Sequence, residues 1–227
     1  ADMSDYRIEQ YNEVKKEIAS ALASAGRAPD GAELIAVSKT FPASDILAVY
    51  NAGQRRFGES KADELAAKAA ALPGDIEWHF IGHLQSNKVR SVVAHAHVIH
   101  SVDSAKLLER IERIAGEEHV KVEALLEVNI SGEASKFGLT PEAAEELARQ
   151  SSGMHNVKVT GFMTMAPEGA GEDELIRVFS GLKKLADKCG LGKLSMGMSG
   201  DFKTAIACGA TLARIGTAIF GKRDYSK

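Results

Sequence analysis

One lysine of this chain lies at a position that favours a reactive amine. Lys39 follows the apolar run 34–37 with only Ser38 between them, at the end of a predicted buried strand. Burial disfavours the charged form of a lysine and so yields the free amine that forms a Schiff base with an aldehyde. A lysine that only extends its amine to solvent, or that pairs with Glu59, fits the same position. The sequence therefore marks Lys39 as a candidate nucleophile and leaves both alternatives open.

Two later segments combine glycines with hydroxyl residues. Segment 195–201 reads Ser-Met-Gly-Met-Ser-Gly-Asp and segment 214–217 reads Arg-Ile-Gly-Thr, and each joins a predicted strand to a helix. Glycine permits close backbone approach, hydroxyls donate hydrogen bonds, and the N–H groups at a helix start favour an anion. Turn and capping roles explain the same glycines. A phosphate site at these segments is the chemical hypothesis.

Eight short apolar runs, each followed by a helical pattern, would position these residues. The runs cover 34–37, 56–57, 78–81, 97–100, 122–128, 157–163, 194–196 and 211–215. Parallel strands with crossover helices close into a barrel at eight strands and need about 200 residues or more. The pattern predicts an α/β fold, a (β/α)8 barrel with an extra amphipathic N-terminal helix, as a single domain over residues 1–227. The alternative is a doubly wound sheet in which 56–57 and 211–215 are loops.

Composition and charge exclude several classes of protein. The 227 residues include 28 Lys+Arg against 31 Asp+Glu, so a basic nucleic-acid footprint is not expected. Cys189 and Cys208 are too few for a disulfide framework and form no C-x-x-C pair. No secretory signal pattern is visible, and no apolar stretch approaches the roughly 18 residues that span a bilayer. We expect a cytoplasmic protein without nucleic-acid or membrane partners.

In a barrel the active site lies at the carboxyl ends of the strands, so the residues that close each apolar run are candidates. They are Lys39, Glu59, Ser60, His83, Ser101, Asp103, Asn129, Thr164, Met165, Met198, Ser199, Arg214, Gly216 and Thr217. A Schiff-base lysine after the first strand, facing a phosphate site after the last two, describes a site for pyridoxal 5′-phosphate (PLP) or for a sugar phosphate. His79 and His83 lie on a strand and its loop, and no third ligand has metal-site spacing, so no metal is expected.

Long motifs spread over nearly the whole chain carry a family resemblance. They occupy positions 36–40, 57–59, 78–88, 129–130, 136–139, 161–163, 194–199 and 214–221. In these motifs the chain resembles the pyridoxal phosphate homeostasis proteins, which have a barrel like the N-terminal domain of alanine racemase. The resemblance implies that PLP is the cofactor and that Lys39 holds it as a Schiff base.

The resemblance also implies the other contacts of the cofactor. Its phosphate would be held by Ser199, Gly216 and Thr217, and Arg214 would lie near the pyridine nitrogen. Met198 is a candidate wall of the same pocket. The family usually has asparagine where this chain has Ser60, so the ring contact of that asparagine is not carried over.

Two classes of function follow from a PLP site. One is a carrier that buffers PLP or delivers it to PLP-dependent apo-enzymes with little turnover; the other is an enzyme, either an amino-acid racemase or a lysine aldolase acting on a sugar phosphate. Racemisation needs acid–base groups on both faces of the substrate α-carbon, and no tyrosine falls at a strand end. Alanine racemases also carry a further β domain that 227 residues do not include. We therefore expect PLP homeostasis without robust catalysis.

Overall fold

The eight predicted strands form one closed parallel barrel in the computed structural model, which describes residues 3–133 and 137–223. The strands are β1 (Glu33–Val37), β2 (Arg56–Glu59), β3 (Glu77–Phe80), β4 (Val98–Val102), β5 (Val122–Glu127), β6 (Val157–Met163), β7 (Lys193–Ser195) and β8 (Leu212–Ile215). Each strand pairs with the next, and β8 closes the barrel against β1. The predicted (β/α)8 barrel is confirmed. The doubly wound alternative is wrong, because both runs that it required to be loops are strands.

Helices follow the strands and surround the barrel. They are α1 (Met3–Ser24), α2 (Ala43–Asn51), α3 (Ala62–Ala71), α4 (Val89–His95), α5 (Ala105–Glu117), α6 (Pro141–Gln150), α7 (Glu172–Cys189), α8 (Phe202–Ala207) and α9 (Thr217–Phe220), with 3₁₀ turns at Ser86–Lys88 and Ser151–Gly153. The extra helix α1 buries Tyr11, Val14, Ile18 and Leu22, which recur every three to four residues, and packs on α2, α8 and α9. Across the described ranges no helix has the length and apolarity to cross a bilayer.

The starts of two helices show how the sequence fixes their boundaries. Thr140 caps α6 by accepting a hydrogen bond from the N–H of Ala143, and Pro141 occupies the first helical position, as its fixed φ favours. Ser104 caps α5 in the same way. Asp103, one of the strand-end candidates, lies one residue before this cap.

The interior of the barrel is layered. At its amino end, where the strands begin, Arg56 bridges Glu33 at 3.1 Å and Glu77 at 2.9 Å, and Lys193 lies 2.5 Å from Glu123. Apolar side chains fill the interior as a cluster separate from the core between strands and helices; its members are Ile35, Val98, Leu125, Met163 and Leu212. Because side chains alternate along a strand, the residues next to these face the helices. Because the salt bridges occupy the amino end and the apolar cluster lies above them, the open part of the interior lies at the carboxyl end of the barrel.

Candidate functional site

A cavity of about 270 Å³ lies at the carboxyl ends of β1 and β8. All the residues that the sequence assigned to a cofactor line it: Lys39, Met198, Ser199, Arg214, Gly216 and Thr217. The rest of the lining is Val37, Ser60, Ile81, Met165, Gly200 and Arg223. A larger cleft of about 490 Å³ lies beside α6 and the end of α7, but no residue from a carboxyl strand end lines it. The cavity that the cofactor-assigned residues line is therefore the candidate site.

The turn that carries Lys39 is held from outside the barrel. Thr40 has a φ of +72°, a left-handed conformation that strains a β-branched residue by about 1–3 kcal/mol. Its N–H donates to Glu64 Oε2 of α3 at 2.7 Å, and the N–H of Phe41 donates to the carbonyl of Ser38 at 3.1 Å. The contact with α3 offsets this strain. It fixes a tight turn in which Lys39, two residues beyond the inward-facing Val37, reaches the cavity.

The amine of Lys39 is available for chemistry. Its Nζ makes no hydrogen bond or ion pair with the residues that the structure describes. Burial and the nearby Arg223 guanidinium lower the pKa of Lys39, and the carboxylates of Glu59 and Glu64 offset this shift in part. A lowered pKa enlarges the fraction of free amine, which is the nucleophilic form.

Glu59 belongs to a buried cluster behind the turn and makes no ion pair with Lys39. Lys68 Nζ lies 2.9 Å from Glu59 Oε1 and 2.9 Å from the carbonyl oxygen of Ser38, and it also contacts Glu64 at 2.7 Å. Ser38 Oγ donates to Glu59 Oε2 at 2.5 Å. Burial raises the pKa of Glu59 to about 7, against the opposing pull of Lys68 and Ser38. Since Glu59 faces α3, the alternating neighbour Ser60 is the residue of β2's end that lines the cavity.

The opposite wall supplies donors that fit a phosphate group. Ser199 Oγ accepts from the N–H of Ala218 at 3.2 Å, which joins the two glycine-containing segments. Thr217 begins α9, so its own N–H has no acceptor within the helix. A Cβ at Gly216 would overlap the guanidinium of Arg223 and lie 3.1 Å from its Cζ, so a larger residue there would require the Arg223 side chain to move. Hydroxyls, a helix-start N–H and a guanidinium around one small space are the donor set that an anion needs.

Arg223 is a site residue that the sequence reading missed. Its Nη2 donates to the carbonyl of Val37 at 3.0 Å, its Nε donates to that of Lys39 at 3.3 Å, and its guanidinium lies over the Phe41 ring. These contacts fold the segment after α9 back over the end of β1. Arg223 lies two residues beyond the motif at 214–221, and no local pattern indicates that its side chain returns to the end of β1.

Arg214 forms the floor of the cavity. It is only 4% exposed, and it donates from Nη1 to Ser195 Oγ at 2.5 Å and from Nη2 to the carbonyl of Thr164 at 3.1 Å. Burial lowers its pKa to about 10, so the guanidinium remains cationic at neutral pH. The side chain therefore points into the barrel.

Six other strand-end candidates lie outside the cavity lining. They are Glu59, His83, Ser101, Asp103, Asn129 and Thr164. Asn129 holds its own loop, accepting from Ser131 Oγ and from the N–H of Gly132 at 3.0 Å each. His83 is exposed and stacks on Phe137 with ring centroids 5.3 Å apart. Lys136, part of one family motif, lies outside the described residues.

Glu127 is a buried carboxylate outside the cavity lining that the sequence analysis did not mark as a candidate. It ends β5 and is 7% exposed, two positions before the predicted strand-end residue Asn129. Burial, and secondarily Asp103, raise its pKa to about 7, and Arg214 opposes that shift. The one feature of the sequence that could have indicated Glu127 is that it is a carboxylate within the long apolar run 122–128. No group of three or more potential metal ligands occurs among the described residues.

Comparison with known proteins agrees with this fold. The profile of the family "Alanine racemase, N-terminal domain" matches residues 14–224. The pyridoxal phosphate homeostasis protein of Aquifex aeolicus is 39% identical over 224 residues, which span 96% of this chain and 98% of the relative. PipY of Synechococcus elongatus, solved with PLP bound, is 41% identical with a TM-score of 0.80 over 90% of this chain and 100% of its own. An alanine racemase from Corynebacterium glutamicum shares the fold, with a TM-score of 0.71 at 16% identity over 96% of this chain and 62% of its own.

Proposed function

The chain belongs to the pyridoxal phosphate homeostasis proteins, within the alanine racemase N-terminal domain family, and we propose that it holds PLP in the cavity lined by Lys39 and Arg214. One observation carries this proposal: an amine with a lowered pKa, which has no partner among the described residues, and an anion-binding donor set line the same cavity of about 270 Å³. The proposed function of the chain is intracellular PLP homeostasis, in which the protein buffers or delivers the cofactor.

Each proposed contact uses a group that the cavity provides. PLP supplies an aldehyde, which condenses with a primary amine, and a phosphate monoester dianion. Lys39 Nζ is the amine that binds the aldehyde as a Schiff base. The hydroxyls of Ser199 and Thr217, with the backbone at Gly216, bind the phosphate. Arg214 faces the pyridine nitrogen.

A titration of the purified protein followed by visible absorbance tests this function. PLP should produce a new visible band that borohydride removes, whereas a sugar phosphate without a conjugated ring should produce none. Pyridoxal, which lacks the phosphate, should bind more weakly than PLP. If the protein binds the sugar phosphate and does not bind PLP, the proposed function is wrong and the ligand is of the aldolase type.

The same titration of Ser199→Ala tests the phosphate contact. A hydrogen bond to a charged acceptor contributes about 1.5–3 kcal/mol, so this variant should bind PLP about tenfold more weakly or worse. Its affinity for pyridoxal should match that of the wild type, because the lost contact involves only the phosphate. Ser44→Ala, at an exposed serine of α2, is the matched control. Equal PLP affinity in Ser199→Ala and wild type would remove Ser199 from the phosphate site.

We expect the loaded protein to be a poor catalyst. The Arg214 guanidinium has donors and no acceptor, so opposite the pyridine nitrogen it favours the unprotonated ring, which is a weak electron sink. No tyrosine of the described ranges lines the cavity to serve the second face of a substrate, and Tyr225 lies outside those ranges. Deuterium exchange at the α-carbon of alanine, followed by NMR, should therefore stay far below about 1 s⁻¹. Free PLP with alanine is the control, and exchange at 1 s⁻¹ or faster would restore the racemase interpretation.

Three wider assignments complete the proposal. The role is cytoplasmic, which is supported by Cys189 and Cys208 being free thiols. Residues 1–227 act as a single PLP-binding domain. Delivery goes to PLP-dependent apo-enzymes, and the support is a cavity bordered by the exposed side chains of Met165 and Met198.

A further inference from the structure

A hydrogen-bonded series of five polar side chains runs through the barrel interior from its amino end to the cavity floor. Glu77 Oε2 lies 2.9 Å from His79 Nε2, and His79 Nδ1 lies 2.7 Å from His100 Nε2. His100 Nδ1 lies 2.8 Å from Ser195 Oγ, which lies 2.5 Å from Arg214 Nη1. His79, His100 and Ser195 are at most 2% exposed, so water does not complete their hydrogen bonds. We call these five residues the polar column.

The two ends of the polar column fix the direction of every hydrogen bond between them. Arg214 has only donors, so Ser195 Oγ accepts from it; the ionised Glu77 has only acceptors, so His79 Nε2–H donates to it. A neutral imidazole has one donor and one acceptor, which leaves His79 Nδ1 to accept from His100 Nε2–H. His100 Nδ1 then accepts from the hydroxyl of Ser195. Every donor and acceptor of this series is used.

A proton added to either histidine would break this order. Protonated His79 would donate from Nδ1 as well, and His100 would then have to donate from Nδ1 to Ser195, whose own proton would lose its acceptor. Burial lowers the pKa of His79 despite Glu77, and it lowers that of His100 further. The charged and titratable groups around the two rings are Glu77, Arg56 and Glu123 for His79, and His79, Arg214 and Lys193 for His100. Both histidines are therefore neutral at neutral pH.

We propose that Glu77, His79, His100 and Ser195 are positioning residues for Arg214. The column presents one hydroxyl lone pair to Arg214 Nη1, and the carbonyl of Thr164 holds Nη2. Two fixed acceptors hold the planar guanidinium in one orientation at the cavity floor. The hydrogen-bond order is independent of any ligand, whereas its effect on PLP rests on the proposed function.

Histidine tautomers in the ligand-free protein give the first test. Long-range ¹H–¹⁵N NMR of ¹⁵N-histidine-labelled protein should show His79 and His100 with the proton on Nε2 and a bare Nδ1 at pH 7. Single His79→Gln and His100→Gln variants assign the two ring signals by their loss. A proton on Nδ1 of either ring, or a doubly protonated ring at pH 7, would overturn the proposed order.

Two glutamates at the same end of the barrel give a matched pair of variants. Both Glu77 and Glu33 bind Arg56, but only Glu77 contacts His79. A glutamine amide can donate as well as accept, so Glu77→Gln should no longer fix the direction, and His79 should show a mixture of tautomers. Glu33→Gln should keep the tautomers of the wild type.

The absorbance and affinity of bound PLP measure the effect of the polar column at the cavity floor. In Glu77→Gln the pH midpoint of the PLP absorbance should shift, although the substitution lies four hydrogen bonds from Arg214 Nη1, and Glu33→Gln should keep the wild-type midpoint. Ser195→Ala, which removes the acceptor itself, should weaken PLP binding about tenfold or more. Equal pH midpoints in the wild type, Glu77→Gln and Glu33→Gln would overturn the positioning role. Unchanged PLP affinity in Ser195→Ala would also overturn it. A wild type that binds no PLP would contradict the proposed function, and the tautomer measurement would still decide the order of the column.

Discussion

Lys39→Ala protein mixed with PLP and borohydride is expected to carry no pyridoxyl group. In the proposed binding mode, Lys39 Nζ attacks the aldehyde carbon of PLP and water leaves, and borohydride then adds hydride to the resulting C=N bond and makes the link permanent. Alanine has no amine, so the covalent part of binding disappears and only the phosphate and ring contacts remain. We expect the Kd for PLP to rise about a hundredfold or more, which corresponds to about 3 kcal/mol. Absorbance titration and intact-mass measurement after reduction provide both numbers.

Peptide mapping of the reduced wild type shows which lysine reacts. The pyridoxyl group should be on Lys39, because its amine lines the cavity without a partner among the described residues. Lys61→Ala is the matched control, since Lys61 is an exposed lysine at the start of α3, near the barrel mouth, and it should label like the wild type. Label found mainly on Lys61, Lys136 or Lys203 would reject Lys39 as the attachment site.

Gly161→Ala is expected to destabilise the barrel more than a typical core substitution. Gly161 pairs with Lys193 across β6 and β7, and a Cβ there would overlap the carbonyl oxygen of Lys193 and lie 2.6 Å from its carbonyl carbon. Both groups are backbone, so no side-chain rotation relieves the overlap and the strands must separate. We expect a loss of more than about 4 kcal/mol in the free energy of unfolding, or about 10 °C in Tm.

Gly192→Ala is the control for this prediction. Gly192 directly precedes β7, and a Cβ at that position would meet nothing within 4 Å. Its Tm should stay close to that of the wild type. Thermal unfolding followed by circular dichroism compares the two variants, and a Tm for Gly161→Ala within a few degrees of the control would show that β6 and β7 can part without loss of the fold.

The fold could be predicted because its signals are local. An apolar run that ends in a polar residue and precedes a helical period identifies a βα unit from a few neighbouring residues, even for runs as short as 56–57. Lys39, Ser199 and Gly216 could be placed at the carboxyl end by the same logic, because the strand closest to each residue sets its height in the barrel. One local rule therefore fixed both the architecture and the main lining of the cavity.

The rest of the site depends on relations between distant residues. Glu59 and Ser60 are both strand-end residues, but only the register of β2 decides that Ser60 faces the cavity and Glu59 faces α3. His79 and His100 look like ordinary strand histidines until closure of the barrel sets β3, β4 and β7 around one interior. Arg223 reaches the site only because the chain turns back after α9. Such contacts are tertiary and leave no periodic trace in the sequence.

The closed amino end of the barrel determines how fast one bound molecule can be replaced by another. Arg56 and Lys193 with their carboxylates close that end, and the apolar cluster together with the polar column fills the interior below the cavity. Entry and departure therefore share one opening. An incoming molecule must wait for the departure of the resident one, a first-order event whose rate does not depend on the concentration outside. In the proposed role, release of PLP in the absence of a partner would therefore be limited by the residence time of the bound molecule, and its rate would follow the amount of loaded protein.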